Sequence, residues 1–204
     1  GSLSLINASV EGGTSSEQRT DFRPFVLTVA DGEAVVKGST IRNLGFGTFA
    51  ETSGLAFLGR GYSMASADVE VSNNDITNLV SVSFIRSAKT KVSGNRLTQM
   101  RSSGIVLQST SDTKVTDNAL TSTTGHGIRI SSQSQKIALL DNTIINSKAH
   151  GIFVDDGSVL VEINGNRIEK SGLSGIVLRE SGCSVVSRNK IASNAQSGVL
   201  SEAS

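Results

Sequence analysis

The C-terminal half of the chain repeats one short phrase at a nearly constant spacing. Asn holds the same place in VSGNRL, VTDNAL and INGNRI, and successive Asn residues are 23, 24, 24 and 23 positions apart. Nine residues after each Asn, a Gly opens a phrase such as SGIVL or HGIFV. A period in the low twenties predicts a solenoid, in which successive coils of the chain stack on one another. The repeated positions are Asn95, Asn118, Asn142, Asn166 and Asn189, and Gly104, Gly127, Gly151, Gly175 and Gly198.

Short apolar residues alternate with polar ones after each Gly. Ile105 and Leu107 share one parity, and the pairs at 128 and 130, 152 and 154, and 176 and 178 repeat it. Alternation in segments rich in Val and Ile predicts β-strands, and no segment sustains the apolar spacing of a helix. Two or three strands per repeat make one coil of a parallel β-helix, whose inward side chains stack at a strand spacing of roughly 4.8 Å.

The repeat extends upstream in a weaker form. We place Asn74 and Ser39 in the Asn column and Ser83 in the Gly column, and SGLAF follows an insertion at 45–53. This gives about seven coils in a β-helix domain over 23–204, preceded by an irregular segment over 1–22. The polar stretch 11–21 predicts a loop within that segment.

Both repeated columns have a structural interpretation. An inward Asn at a tight corner can adopt the left-handed conformation, and its amide can hydrogen-bond to the amides of adjacent coils. The Gly column predicts corners that need a permissive φ.

Composition narrows the function. The net charge is +1 and the aromatic residues are seven Phe, one Tyr and no Trp, which disfavours nucleic-acid binding. No apolar run reaches membrane-spanning length, so membrane insertion is not expected. Cys183 is the single cysteine, so no internal disulfide forms and we expect a buried thiol. Gly1 and Ser2 are typical of a cloning remnant, and we expect the chain to be part of a longer protein.

Several phrases resemble the bacterial mannuronan C5-epimerases of alginate synthesis, over the chain from about Arg23 to its end. They are RPFVLTVADGEAVVKGSTIRNLGFG, GIRISSQSQKIALLDNTI, HGIFV and LSGIVLRESG. The resemblance implies a right-handed parallel β-helix, a periplasmic or extracellular location and an acidic polysaccharide as partner. The family's reaction removes and returns the C5 proton of mannuronate, which requires a general base and a positive group beside the carboxylate.

The family's G-I-D-P-H-D signature falls on residues 127–132, where the chain reads GIRISS. The catalytic His is therefore replaced by Ser131, and the acidic neighbours by Arg129 and Ser132. The neutralising Arg falls at Asp156, which has the opposite charge. Since a serine cannot abstract a weakly acidic carbon proton without its own base, the resemblance implies an inherited fold whose usual epimerase site is lost.

The outward residues of the strand after each Gly are the predicted glycan-binding surface. Parity turns them outward at two and four places after the Gly, where Phe153 offers an aromatic ring for a sugar. The alternative is a solvated sheet face with paired charges, such as Arg129 with Asp155 and Asp156. The predicted glycan-binding residues are Arg129, Ser131, Phe153, Asp155 and Arg179.

His126 and His150 are the two histidines and hold the same place in adjacent coils, so we expect them to stack. With Arg129 they are the candidate catalytic residues of a relocated site, because histidine titrates near neutral pH. The alternative is a pair of corner residues bonded to backbone, which strict alternation would turn inward. Their spacing to Asp155 and Asp156 matches no known ligand motif, so neither a metal site nor a cofactor is predicted.

Three functions follow from these observations. The first is a β-helix that binds or guides an acidic exopolysaccharide without turnover, and the second is an active C5-epimerase or lyase using relocated residues. The third is a structural or adhesive segment. Because a β-helix end is an unpaired edge, neighbouring domains of the same chain or end-to-end self-association are further expected partners.

Overall fold

The computed structural model describes residues 2–13, 23–29, 33–47, 49–59 and 68–202. Its strands form three parallel sheets of eight strands each, and every coil of the chain contributes one strand to each sheet. The architecture is the predicted right-handed parallel β-helix. Within the described residues the only helical element is a short 3₁₀ helix at Ala50–Thr52. No helix in the described part of the chain is long and apolar enough to cross a membrane.

The three sheets run the length of the solenoid. Sheet A contains β1 (Leu3–Ile6), β4 (Ala34–Lys37), β7 (Val69–Ser72), β10 (Thr90–Ser93), β13 (Ser111–Thr116), β16 (Gln135–Leu140), β19 (Val159–Asn164) and β22 (Val185–Ser187). Sheet B contains β2 (Ser9–Glu11), β5 (Thr40–Arg42), β8 (Asp75–Thr77), β11 (Arg96–Met100), β14 (Ala119–Thr123), β17 (Thr143–Ser147), β20 (Arg167–Glu169) and β23 (Lys190–Ala192). Sheet C contains β3 (Val26–Val29), β6 (Gly54–Leu58), β9 (Ser81–Ile85), β12 (Ile105–Gln108), β15 (Ile128–Ser131), β18 (Ile152–Val154), β21 (Ile176–Arg179) and β24 (Val199–Glu202).

The structure has eight coils, one more than the sequence predicted. The prediction of an irregular segment over 1–22 is wrong for residues 3–11, which form β1 and β2 and pair with β4 and β5. The first coil was missed because Ala8 stands in the ladder place and no Gly phrase follows. Of the predicted polar loop at 11–21, residues 14–21 lie outside the described residues.

The core consists of columns of stacked apolar side chains. The predicted parity after each Gly is confirmed, because both inward positions of sheet C are buried in coil after coil. Phe57 and Phe84 stack in one of these columns with ring centroids 5.1 Å apart. The two columns of sheet C are Leu55, Val82, Ile105, Ile128, Ile152 and Ile176, and Phe57, Phe84, Leu107, Ile130, Val154 and Leu178.

A ladder of buried Asn side chains runs along the corner between sheets A and B, as predicted. Each Nδ2 donates to the Oδ1 of the Asn in the next coil at 2.8–3.0 Å, from Asn74 to Asn189. Each Oδ1 also accepts a backbone N–H from the preceding coil, and Ser39 donates its N–H to Asn74 at 2.9 Å. The left-handed conformation was assigned to the wrong residue, because it belongs to the position before each ladder residue. These positions are Gly38, Asn73, Gly94, Asp117, Asp141, Gly165 and Arg188.

The five glycines of the Gly column are determined by space and not by φ. None of them has a positive φ, whereas Gly54, which holds the same place in the second coil, has φ at 118°. A Cβ on Gly151 would lie 2.3 Å from Cγ2 of Ile168 and 2.7 Å from the carbonyl oxygen of Gly175, so no side chain fits. In the third coil this place belongs to Ser81 and not to Ser83, because Gly54 pairs with Ser81.

Cys183 also departs from its prediction. It lies exposed after β21, with φ at 52°, and its thiol is free. The expectation of a buried thiol is wrong, because the chain turns through this residue toward β22 and leaves its side chain exposed.

Candidate functional site

The outer surface of sheet C carries a groove of about 430 Å³. Its floor comes from β9, β12 and β15, and one wall comes from the insertion that contains the 3₁₀ helix. The lining is mostly hydroxyl, amide and charged side chains. The lining residues are Phe49, Glu51, Val80, Ser81, Ser83, Ser102, Ser103, Val106, Gln108, Arg129, Ser131 and Ser132.

The wall of the groove is a braced loop. The backbone N–H of Phe46 donates to the carbonyl oxygen of Thr52 at 2.9 Å, and the Thr52 hydroxyl donates back to that of Phe46 at 2.7 Å. Thr52 also donates its N–H to the carbonyl oxygen of Phe49 at 3.2 Å. Arg101 donates to the carbonyl oxygens of Leu44 and Gly45, which ties the base of the loop to the fourth coil. These hydrogen bonds tie the backbone of Phe46, Phe49 and Thr52 together at the side of the groove.

Beyond the groove, three rings stack on the outer surface. The His126 ring lies 4.7 Å from the Phe153 ring and 5.4 Å from the His150 ring, centroid to centroid, and all three are nearly parallel. The predicted stacking of the two histidines is confirmed. Both histidine rings lie outside the core, since they stack on the Phe153 ring, which is on the outer surface of sheet C. The Arg179 guanidinium lies 4.8 Å from the centroid of the Phe153 ring. Phe153 is consequently only 7% exposed, so it is not the open sugar platform that the sequence predicted.

Both histidines accept backbone hydrogen bonds through Nδ1. The N–H of His150 donates to Nδ1 of His126 at 3.3 Å, and the N–H of Ser174 donates to Nδ1 of His150 at 3.1 Å. One coil earlier, Ser103 Oγ accepts the N–H of His126 at 3.2 Å. This acceptor geometry assigns each ring as the neutral tautomer with its proton on Nε2.

Surroundings favour the neutral form of both rings. Burial lowers the pKa of His126 from 6.5 to about 4, and the positive charges of His150, Arg129 and Arg179 act in the same direction. Burial also lowers the pKa of His150. At neutral pH each imidazole therefore presents an N–H donor and no free lone pair, which does not suit a general base.

Arg129 of the fifth coil and Arg179 of the seventh coil both pair with the carboxylate of Asp155 in the sixth coil. Asp155 Oδ2 lies 3.4 Å from a guanidinium nitrogen of Arg129 and 3.4 Å from one of Arg179. The expected ion pair of Arg129 with Asp155 is confirmed, whereas Asp156 forms no ion pair within the described residues. Asp155 is buried, while the arginine side chains are 44% and 48% exposed. The group keeps one net positive charge with N–H donors facing solvent.

The predicted residues thus divide between two adjoining places. Arg129 and Ser131 line the groove, and Phe153, Asp155 and Arg179 lie in the next two coils beside the histidines. Sequence reasoning missed Phe49 and Glu51 of the wall. The insertion at 45–53 was the available signal, because an interruption in a regular solenoid adds a feature to one face.

The fold has well-defined relatives among solved structures. The crystal structure of the periplasmic alginate epimerase AlgG matches with a TM-score of 0.87 at 21% identity, over 95% of this chain and 49% of that chain. The alginate lyase from Paenibacillus sp. str. FPU-7 matches with a TM-score of 0.68 at 11% identity, over 90% and 67%. PfbA, a surface adhesin of Streptococcus pneumoniae, matches with a TM-score of 0.55 at 16% identity, over 82% and 46%.

These likenesses confirm the predicted resemblance to the mannuronan epimerases at the level of the fold. An epimerase, a lyase and an adhesin share this architecture, so the fold alone does not determine the activity. The chain spans about half the length of AlgG. No curated protein matches the chain. The family model described as periplasmic copper-binding protein (NosD) matches residues 30–204, and the chain therefore belongs to the NosD family.

Proposed function

We propose that the protein binds an acidic polysaccharide along the outer surface of sheet C without chemically altering it. The observation that carries the proposal is the open groove of about 430 Å³, lined by hydroxyl and amide side chains with Arg129 at one end. Hydroxyl and amide side chains along an open groove can donate to and accept from the many hydroxyl groups of a polysaccharide. The floor comes from three adjacent parallel strands, β9, β12 and β15.

The charge at one end supports an acidic ligand. Arg129 and Arg179 share Asp155 and still leave one positive charge and exposed N–H donors. Guanidinium groups bind carboxylates well because their paired N–H donors match the two carboxylate oxygens. Of the solved structures with this fold, AlgG and the Paenibacillus lyase act on alginate by their names, which favours a uronate among acidic sugars.

Turnover is not part of the proposal. Proton abstraction needs a base with a free lone pair near the sugar, and both His Nδ1 atoms are engaged by backbone N–H groups. Ser131, at the place of the family's base, lines the groove with other serines and has no imidazole beside it in the groove lining. His126, His150 and Arg129 are therefore proposed as binding or structural residues, with the imidazole Nε2–H groups as donors.

The NosD family name raises copper as a ligand, and the described residues do not fit it. Copper in proteins is held by imidazole, thiolate and thioether ligands grouped around one point. The described part of the chain contains no group of three or more His, Cys, Asp or Glu side chains that could hold a metal ion. The two imidazoles are committed through Nδ1, and Cys183 is in another part of the solenoid surface. No role for copper is derived for this domain.

A periplasmic or extracellular location is part of the proposal. The NosD family and AlgG are both described as periplasmic, and a polymer-binding groove serves a protein outside the cytoplasm. Fractionation of the source cells, with a cytoplasmic marker as reference, would test the location directly.

The binding proposal is tested by calorimetry with two sets of uronate oligosaccharides, oligomannuronate and hyaluronan fragments. We expect binding by the wild-type protein and an affinity about tenfold lower for Arg129→Gln, because a charged hydrogen bond is lost. Arg167→Gln is the matched control, since Arg167 pairs with Glu169 on sheet B. Equal affinities for wild type and Arg129→Gln would contradict the proposed site.

A further inference from the structure

We propose that Asp155 is a positioning residue, which holds Arg129 and Arg179 together as a binding site for one carboxylate of the polysaccharide. This role rests on the proposed function and specifies how the acidic sugar is recognised. Removal of the negative charge of Asp155 should then weaken the binding of an acidic ligand, although it makes this surface more positive. Charge alone predicts the opposite change.

The contacts of the Asp155 carboxylate point to this role. Its Oδ2 lies 3.4 Å from a guanidinium nitrogen of Arg129 in the preceding coil and 3.4 Å from one of Arg179 in the following coil. Its Oδ1 is buried and accepts no hydrogen bond in the described part of the chain. Among the described residues, the two arginines are therefore the hydrogen-bonding partners of this side chain.

The fold does not require a carboxylate at this place. Ile130 pairs with Val154 in the neighbouring coil, so the residues that follow them, Ser131 and Asp155, hold equivalent places. Both are buried, with 5% and 6% of their surface exposed. A buried charge costs free energy unless it is paired, whereas a serine at the same place does not carry this cost. The carboxylate is thus explained by its two arginines and not by the β-helix.

Asp155 counteracts the repulsion between the two guanidinium groups. Both groups approach the same oxygen and so converge on one point, and their side chains are 44% and 48% exposed and can move into solvent. The negative charge between them offsets the repulsion of their like charges. Arg179 is also held from a second side, because its guanidinium lies 4.8 Å from the centroid of the Phe153 ring. When both arginines are already held in place, binding of a ligand costs less conformational entropy.

The cluster has the charge to bind one ligand carboxylate. Two guanidinium groups and one carboxylate leave one net positive charge, which a single uronate neutralises. Each guanidinium has five N–H donors, so donors remain on the solvent side after the contact with Asp155. One external carboxylate can therefore accept charge-assisted hydrogen bonds from both arginines. Since Arg129 also lines the groove, this site is continuous with it.

The test uses two variants that lose the same charge and measures their affinity for oligomannuronate and for hyaluronan fragments by calorimetry. Asp155→Asn keeps the volume of the side chain, and we expect it to lower the affinity about fivefold, because the arginines are no longer held.

Asp156→Asn is the matched control. Asp156 is exposed, forms no ion pair among the described residues, and has φ at 56°, a conformation that asparagine tolerates. Its substitution should raise the affinity slightly, by less than about twofold, since it removes a negative charge near the ligand.

A second comparison separates positioning from a general disturbance of sheet C. In a protein that already carries Arg129→Gln, only one guanidinium remains at Asp155 and there is no repulsion to offset. Asp155→Asn should then no longer lower the affinity. If it lowers the affinity fivefold in this background too, it acts through the structure of the sheet and the positioning role is overturned.

The outcomes distinguish this inference from the proposed function. If Asp155→Asn binds as tightly as the wild type or more tightly, while Arg129→Gln still weakens binding, the positioning role is overturned and the proposed function stands. If Arg129→Gln has no effect, or if neither polymer binds the wild-type protein at millimolar concentration, the proposed function fails and the positioning role fails with it.

Discussion

Two columns of side chains run along the solenoid and accept backbone N–H groups from the neighbouring coil, yet they differ in composition. The ladder between sheets A and B uses Asn in six consecutive coils, from Asn74 to Asn189. The column before each Gly uses different residues, since the acceptors are Ser103 Oγ and Nδ1 of His126 and His150.

The difference follows from what each place requires. A ladder Asn accepts two N–H groups through Oδ1 and donates both to the next Asn and to a carbonyl oxygen, as Asn142 does toward Val115 and Asn166. Only a short primary amide supplies these groups in a buried position. The column before Gly needs a single acceptor near the surface, so serine and histidine can replace each other. The fold therefore requires Asn at the ladder position, whereas the position before each Gly can change its residue without losing the backbone hydrogen bond.

Removal of one Asn from the ladder between sheets A and B should destabilise the protein most. Asn142→Ala would leave the buried N–H of Asn118 without its acceptor and would remove the side-chain donor to Val115 and Asn166. We expect the free energy of unfolding to fall by about 4 kcal/mol, since an orphaned buried group costs about 1–3 kcal/mol and each lost hydrogen bond about 1 kcal/mol. Urea unfolding followed by circular dichroism measures the change.

Asn164→Ala is the control for that substitution. Its side chain donates to Glu162 and accepts from Arg188 at the surface, so the loss should stay below about 0.5 kcal/mol. Similar losses at both positions would mean that the ladder contributes no more than a surface hydrogen bond.

The variable column should make stability depend on pH. The pKa of His126 is about 4 in the folded protein, against 6.5 for an unperturbed histidine. As the pH falls from 6.5 toward 4 the unfolded chain binds this proton first, so the free energy of unfolding decreases, by up to about 3 kcal/mol. His150, whose pKa is also lowered, adds a contribution of the same sign.

Urea unfolding across this pH range measures the slope. His126→Ser keeps an acceptor in the column and removes the titrating group, so its slope should be smaller than that of the wild type. Above pH 6.5 the slope from this residue should vanish. An identical slope in both proteins would show that His126 is not the residue responsible.

Serine and histidine should be interchangeable as acceptors in the column before each Gly. His150→Ser should be more stable than His150→Ala by about 1 kcal/mol, because serine can accept the N–H of Ser174 as Ser103 accepts that of His126. Thermal unfolding of the two variants at pH 7.5, where both columns are neutral, measures the difference. Equal stability would indicate that water replaces the imidazole as acceptor.

The repetitive part of the fold could be predicted because every coil repeats the same pattern of Asn, Gly and apolar residues. The Asn spacing, the inward parity of Ile128 and Ile130 and the stacking of the histidines all follow from one period. The first coil was not predicted because Ala8 lies where later coils have a polar side chain of the ladder. The steric reason for glycine in the Gly column could not be predicted either, since the approach of Ile168 to Gly151 depends on packing between coils.

The candidate site was predictable only in part. Parity placed Arg129, Ser131 and Phe153 outward, but it did not show that Arg179 covers the Phe153 ring. Phe49 and Glu51 belong to an insertion without a repeat, and their position over the groove depends on hydrogen bonds that no period predicts. Features outside the repeat are thus the ones that the sequence describes least well.

Binding of uronate polymer to the outer surface of sheet C, without removal of its C5 proton, can be tested directly. Proton NMR of oligomannuronate and hyaluronan fragments incubated with the protein in D₂O tests binding and chemistry in one experiment. We expect broadened ligand signals that depend on Arg129, with no loss of the uronate H5 signal and no unsaturated ends. Protein-dependent exchange at C5, or new unsaturated ends, would show that a working base is present and would rule out binding without turnover.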